Sequence, residues 1–62
     1  MQTDTIQSLI DRLNASGWKV SIDQSGTDEW WVSVIRGELY YSSMFRPTAV
    51  DALDEAIRLV AA

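Results

Sequence analysis

The sequence predicts a single α+β domain over residues 1–62, in the order helix, strand, strand, strand, helix (αβββα). Both helices are expected to pack on one face of a three-stranded antiparallel meander. Two observations lead to this prediction: apolar residues recur at helical spacing near each end of the chain, and three runs of strand-favouring residues lie between them, separated by glycine-containing turns. A chain of 62 residues without cysteine must rely on apolar packing or on a partner chain.

The first helix is predicted from one apolar stripe with the i, i+3, i+4, i+7 spacing of an amphipathic helix: Ile6, Leu9, Ile10 and Leu13. Asp4 stands where a side-chain cap is expected, and Gln7 follows three residues later as in a capping box. Gly17 is expected to end the helix, because glycine accepts the left-handed conformation that follows a last helical turn.

The first strand is predicted from strict alternation. Trp18, Val20 and Ile22 point one way, and Lys19, Ser21 and Asp23 point the other. A three-residue connection at residues 25–27 would place Trp18 opposite Val34 and Ile22 opposite Trp30. The apolar side of this strand then shares a face with the buried side of the hairpin that follows.

The central hairpin, residues 28–45, contains two of the three tryptophans, both tyrosines and the only phenylalanine. Gly37 and Glu38 predict a type II′ turn, which pairs Ile35 with Tyr40, and opposite residues share a face. The face expected to lie under the helices contains Trp30, Val32, Val34, Tyr41, Ser43 and Phe45. The face expected to be open contains Trp31, Ser33, Ile35, Tyr40, Ser42 and Met44.

The second helix is predicted to begin after Pro47, with Thr48 as its cap and Asp51 as the acid that answers the cap. Its apolar stripe is formed by Val50, Leu53, Ile57 and Val60. Three alanines flank the stripe and permit close approach to the sheet: Ala49, Ala52 and Ala56.

The composition argues against an enzyme and against a cofactor. Without histidine or cysteine, the commonest general base, thiolate chemistry and zinc ribbons are all excluded. Asp23, Asp28 and Glu29 approach one another in the predicted first hairpin and could hold a hard cation, but a polar loop is the favoured interpretation because the spacing matches no known metal loop. No metal site is therefore predicted.

The charge and hydropathy patterns restrict the partners that we expect. A net charge of −4 disfavours nucleic acid, whose binding depends on Lys and Arg neutralising phosphates. No run reaches the roughly 18 apolar residues of a membrane span, and the N-terminus does not resemble a signal peptide. The absence of cysteine suits a reducing cytoplasm.

The open face of the hairpin is the sharpest functional signal. Trp31, Ile35, Tyr40 and Met44 lie there together, and aromatic and Met side chains are enriched at interface centres. Arg36 and Arg46 are expected at the rim of this patch. We interpret it as a protein-binding surface; the alternatives are a homodimer interface on the same face and a set of cross-strand pairs that stabilises the sheet.

The order of elements is similar to that of the double-stranded RNA-binding domain, and the similarity covers most of the chain. That family binds RNA through basic residues at the start of its second helix. The matching positions here include no lysine: Thr48, Ala49, Val50 and Asp51. The similarity of topology nevertheless implies an alternative function, a nucleic-acid-binding module. Such a module would bind in a salt-sensitive way through the basic residues Arg12, Lys19, Arg36, Arg46 or Arg58.

Three short patterns also look like those of small uncharacterised proteins of bacteriophages and prophages. They are Gly17 and Trp18 opening a strand, Trp30, Trp31 and Val32 within a strand, and Pro47, Thr48 and Ala49 opening a helix. The resemblance implies a phage accessory protein in the host cytoplasm, and one subset of such proteins blocks host defence by binding a host protein.

Overall fold

The computed structural model describes residues 6–61. The order of its elements is α1 (Ile6–Ala15), β1 (Lys19–Gly26), β2 (Glu29–Arg36), β3 (Leu39–Ser42) and α2 (Ala49–Ala61). The strands form an antiparallel sheet in the order β1-β2-β3, with α1 over β1, α2 over β2 and β3, and the two helices in contact. The predicted fold class is confirmed.

The end of α1 is set by Gly17, as predicted. Its φ is +88°, and its N–H donates to the Asn14 carbonyl at 2.9 Å while the Trp18 N–H donates to the Leu13 carbonyl at 3.0 Å. These two bonds are the Schellman pattern, which turns the chain back on the helix. Trp18 therefore enters the core beside Leu13. The predicted cap at Asp4 lies outside the described residues.

The β2–β3 hairpin has the predicted register. Val34 lies opposite Tyr41 and Ile35 opposite Tyr40. Gly37 has a φ of +62°, whereas no non-glycine residue among residues 6–61 has a positive φ. A type I′ turn needs positive φ at both central positions, and Glu38 does not have one. Positive φ at the first position alone agrees with the predicted type II′ turn.

Ser43 lies opposite Val32 as the predicted register requires, but the pairing predicted beyond Ser43, with Trp30 opposite Phe45, is wrong. The Ser43 N–H donates to the Val32 carbonyl at 2.8 Å, and the Ser43 hydroxyl accepts the Val32 N–H at 3.0 Å in place of a backbone carbonyl. Trp30 then pairs with Arg46 instead of Phe45. This irregularity adds one residue to the outer strand, as a β-bulge does, and Phe45 leaves the helix-covered face and is 59% exposed.

The β1–β2 register differs from the prediction by two residues. Val20 lies opposite Val34 and Ile22 opposite Val32, because the turn is confined to residues 27 and 28 and the ladder shifts between Gln24 and Gly26. A shift of two residues leaves every side chain on its original face. The predicted assignment of faces in β1 is therefore retained.

The cap of α2 is as predicted, since the Thr48 hydroxyl accepts the Asp51 N–H at 3.1 Å. Its buried face is rotated from the predicted stripe, and Val50 is 37% exposed. The buried residues are Ala49, Ala52, Leu53 and Ala56, with Ile57 and Val60 at the margin of the core. The small alanine side chains let the helix backbone approach the sheet, so the alanine row lies against it.

Candidate functional site

The face of the sheet opposite the helices is ordered in three rows across the strands. Cross-strand pairing places Lys19, Ile35 and Tyr40 in one row and Ser21, Ser33 and Ser42 in the next. Asp23 and Trp31 are opposite each other in the third row. We call this surface the open face, because no element among residues 6–61 lies over it. Its exposed side chains agree with the prediction that this side of the hairpin is uncovered.

The apolar residues of the open face form two clusters. Ile35 and Tyr40, the Tyr40 cluster, are cross-strand neighbours that are 45% and 58% exposed. At the other end, Trp31, Met44 and Phe45, the Trp31 cluster, line an open depression of about 430 Å³. The central row of serines separates the two clusters. The four predicted binding residues thus share a face, but the structure divides them into two groups.

Phe45 is a member of the Trp31 cluster that the sequence did not place there. Simple alternation assigns it to the helix-covered side, whereas the irregularity at Ser43 moves it to the exposed depression beside Trp31. A weak signal exists in the sequence. Pro47 restricts the residue before it and requires the strand pairing to end nearby.

The two arginines expected at the rim of the open face lie elsewhere. The Arg36 guanidinium stacks 4.7 Å from the centroid of the Trp18 ring, and its Nη1 donates to the Ser16 carbonyl at 3.1 Å. Arg46 forms an ion pair with Glu55 of α2. Both guanidinium groups are therefore on the helix side, and their prediction as rim residues is corrected.

Glu55 connects α2 to the segment that follows β3. One carboxylate oxygen accepts a hydrogen bond from the Arg46 side chain, and the other accepts one from the Met44 N–H at 3.2 Å. The hydrogen bond from Arg46 is the main cause that holds the pKa of Glu55 below its ordinary value, and burial opposes it. Glu55 thereby fixes the backbone that presents Met44 and Phe45 in the Trp31 cluster.

This ion pair predicts a pH dependence of stability. Because the pKa of Glu55 is lowered in the folded state, the ionised carboxylate stabilises the fold at neutral pH, and this contribution is lost as the pH falls through the lowered folded value. Urea denaturation of wild type and Glu55→Gln at several pH values should show a difference of at most about 1 kcal/mol at neutral pH, since Arg46 is 42% exposed. That difference should vanish in acid; a difference that stays constant or grows in acid would contradict the assignment.

Arg36, Arg46 and Arg58 each have a partner within the chain. Arg58 pairs with Asp54 at 3.2 Å, in addition to the contacts of Arg36 and Arg46 already described. At the start of α2, the Thr48 hydroxyl is used in the cap and Ala49 is buried. Two of the four positions that would match the phosphate contacts of a double-stranded RNA-binding domain thus serve the chain's own fold.

Residues 6–61 contain no group of three acidic, histidine or cysteine side chains placed to hold a metal ion, so Asp23, Asp28 and Glu29 do not assemble into a ligand set. Within the same range, neither helix has the length and apolar character needed to cross a membrane.

The fold and the open face define the class of the protein as a two-layer α+β domain with an aromatic sheet surface that no element of residues 6–61 covers. Comparisons with known protein families, with curated proteins and with solved structures find no match to this chain.

Proposed function

We propose that the chain is a non-enzymatic protein-interaction module that binds a partner protein through the open face. The observation that supports this most directly is the exposure of large apolar side chains on one side of the sheet, up to 70% for Met44. Scattered apolar residues are normal on protein surfaces, but apolar clusters concentrated on one face of a small domain are typical of binding sites.

The chemistry of the open face suits binding better than catalysis. Its groups are aromatic rings, aliphatic chains, serine hydroxyls and one opposite-charge pair of residues, Lys19 and Asp23, along β1. The two apolar clusters would supply desolvation energy, and the two charges on either side of Ser21 in β1 would fix the orientation of the partner.

The proposal includes an origin and a class of partner. The chain is a small phage or prophage accessory protein, and its partner is a host protein whose activity it modulates by covering a surface, as an inhibitor of host defence would. The resemblance of the tryptophan and Pro-Thr-Ala patterns to small phage proteins supports this part of the proposal. An RNA-binding role is less favoured, because Arg36, Arg46 and Arg58 already have partners within the chain.

The test is affinity capture from a nuclease-treated bacterial lysate with three baits: wild type, Trp31→Ala/Tyr40→Ala, and a control that removes two exposed apolar side chains outside the open face, Leu39→Ala/Val50→Ala. A host protein should be retained by wild type and control and lost by the open-face variant. With the purified partner, we expect the open-face variant to bind about 100-fold more weakly or worse, because two central aromatic anchors are removed.

Circular dichroism of the baits establishes that each is folded before capture is compared. A folded Trp31→Ala/Tyr40→Ala variant that retains every partner of wild type would overturn the proposal. Recovery of nucleic acid alone, when nuclease is omitted, would favour the RNA-binding alternative.

A further inference from the structure

We infer that, in the free protein, the open face is covered by a second copy of this chain, related by a two-fold axis that runs along the central row of serines. The inference rests on the proposed function, since it takes the open face to be a binding surface and names what occupies it before a foreign partner arrives.

Two charges of opposite sign in β1 make the open face complementary to itself. Lys19 and Asp23 are both exposed on the open face, two positions to either side of Ser21. The ion pairs within residues 6–61 are Arg46–Glu55 and Arg58–Asp54, so neither Lys19 nor Asp23 has an ion-pair partner in the described chain. A two-fold axis through Ser21 exchanges these two positions, which brings Lys19 of each copy against Asp23 of the other.

The two apolar clusters are placed so that the same axis brings them together. The same axis, continued through Ser33 and Ser42, exchanges the row of Ile35 with the row of Trp31. The Tyr40 cluster of one copy then faces the Trp31 cluster and its depression on the other. The short serine side chains along the axis leave room for the long side chains of both copies to interdigitate.

The axis is specified by these two features together. A two-fold axis parallel to the strands would also bring the open faces together, but it would place β1 of one copy over β3 of the other. Lys19 of one copy would then face Tyr40 of the other. Lys19 and Asp23 would both be buried without an oppositely charged partner, which is unfavourable. Of these two axes, the one along the serine row is self-complementary in both charge and apolar area.

The size of the chain sets how much surface such a dimer must bury. A standard interface takes roughly 800 Å² from each partner, which is about a fifth of the 4256 Å² accessible surface of this chain. The dimer therefore has to use both apolar clusters of the open face and not one alone. Two sheets packed in this way would form a sandwich with approximately aligned strands.

This arrangement has a consequence for function. A foreign partner that uses the open face must displace the second copy, so self-association and partner binding are mutually exclusive. The apparent affinity for the partner should therefore fall as the protein concentration rises above the dimer dissociation constant.

The test is sedimentation equilibrium of the purified chain from low micromolar to millimolar concentration. Wild type should show a monomer–dimer equilibrium. Lys19→Asp places an acid on both sides of Ser21, and Asp23→Lys places a base on both sides, so each variant replaces two attractions by two repulsions. For each single variant we expect the dimer dissociation constant to rise about tenfold or more.

Two rescue experiments separate this geometry from a general effect of charge. The double variant Lys19→Asp/Asp23→Lys restores the complementarity and should regain the wild-type dimer. An equimolar mixture of the two single variants should form a heterodimer, because the acidic β1 of one faces the basic β1 of the other. Recovery in both experiments supports the proposed axis; single variants that dimerise as wild type does, or a double variant that stays monomeric, overturn it.

Failure of the dimer and failure of the proposed function give different results. A wild type that is monomeric at all concentrations, yet captures a host protein through Trp31, overturns the dimer and leaves the proposed function intact. A dimer that obeys the charge rule, in a chain that captures no foreign protein, supports the self-complementary face and overturns the proposed function.

Discussion

Trp18→Ala is expected to leave most of the chain unfolded at room temperature. The Trp18 side chain is 4% exposed and packs in the core that contains Leu9, Leu13, Val32 and Val34. Truncation of a buried aromatic residue destabilises by about 3–5 kcal/mol, and a core of this size without disulfides rarely supplies more than about 3–5 kcal/mol in total. Far-UV circular dichroism and urea denaturation measure the loss directly.

The contacts of Trp18 explain why no neighbour can replace it. Its ring packs against Tyr41 of β3 with centroids 5.6 Å apart and planes tilted by 58°, and Arg36 of β2 stacks on it. It also directly follows the glycine that ends α1. The indole therefore joins α1 to β2 and β3, and its removal leaves a cavity where these elements meet.

Trp31→Ala is the matched control for this prediction. Trp31 has the same side chain, but it is only partly buried and lies on the open face. Its loss should remove cross-strand contacts of about 1 kcal/mol or less and leave the variant folded. Equal destabilisation by the two substitutions would contradict the assignment of faces, and it would also remove the folded variant on which the binding experiment depends.

The two faces of the sheet were predictable because they depend on local rules. Alternation in β1 and the two-residue turn at Gly37 together determine which side chains share a surface. The predicted faces of the β1 side chains are correct although the predicted register is not, since a shift of two residues leaves each side chain on its original face. The open face could therefore be predicted with the correct members of β2 and β3.

The irregularities of the ladder could not be predicted in the same way. The bulge near Ser43 depends on a serine hydroxyl that accepts a hydrogen bond in place of a backbone carbonyl. It also depends on the ion pair between Arg46 and Glu55, a residue of α2 that lies nine positions later. Neither contact has a signature in the alternation of the hairpin. This is why alternation assigns Phe45 and Arg46 to the wrong sides of the sheet.

Arg36 is a different case, because its position was available from the sequence. It is two residues after Val34 in the same strand, so alternation alone places it on the helix-covered side. Its positive charge favoured an interpretation as a rim residue, whereas a guanidinium can stack on an aromatic ring and cap a helix carbonyl at the same time.

The orientation of α2 was the least predictable part of the fold. An apolar stripe and an alanine row lie side by side on this helix, and hydrophobicity alone favours the stripe that includes Val50. Packing favours close approach instead, and this rotates the helix until the alanines lie on the sheet. Leu53 belongs to both patterns and is fully buried in the structure.

Leu53→Ala should consequently destabilise the fold by about 2–5 kcal/mol, because it removes a fully buried side chain between the sheet and the neighbouring helix. In a chain of 62 residues this is comparable to the total free energy of unfolding, so a large unfolded fraction is expected without denaturant. The midpoint of urea denaturation, or its absence, reports the result.

Val50→Ala, on the same helix, distinguishes the two orientations of α2. In the predicted stripe Val50 and Leu53 are equivalent, and both truncations would destabilise strongly. In the structure Val50 is 37% exposed, and alanine also has the higher helix propensity, so the expected change is within about 0.5 kcal/mol of zero. Comparable large losses for both variants would show that α2 packs through its valine stripe; a large loss for Leu53→Ala alone requires the alanine row to lie against the sheet, which is what leaves Val50 on the outside of the molecule.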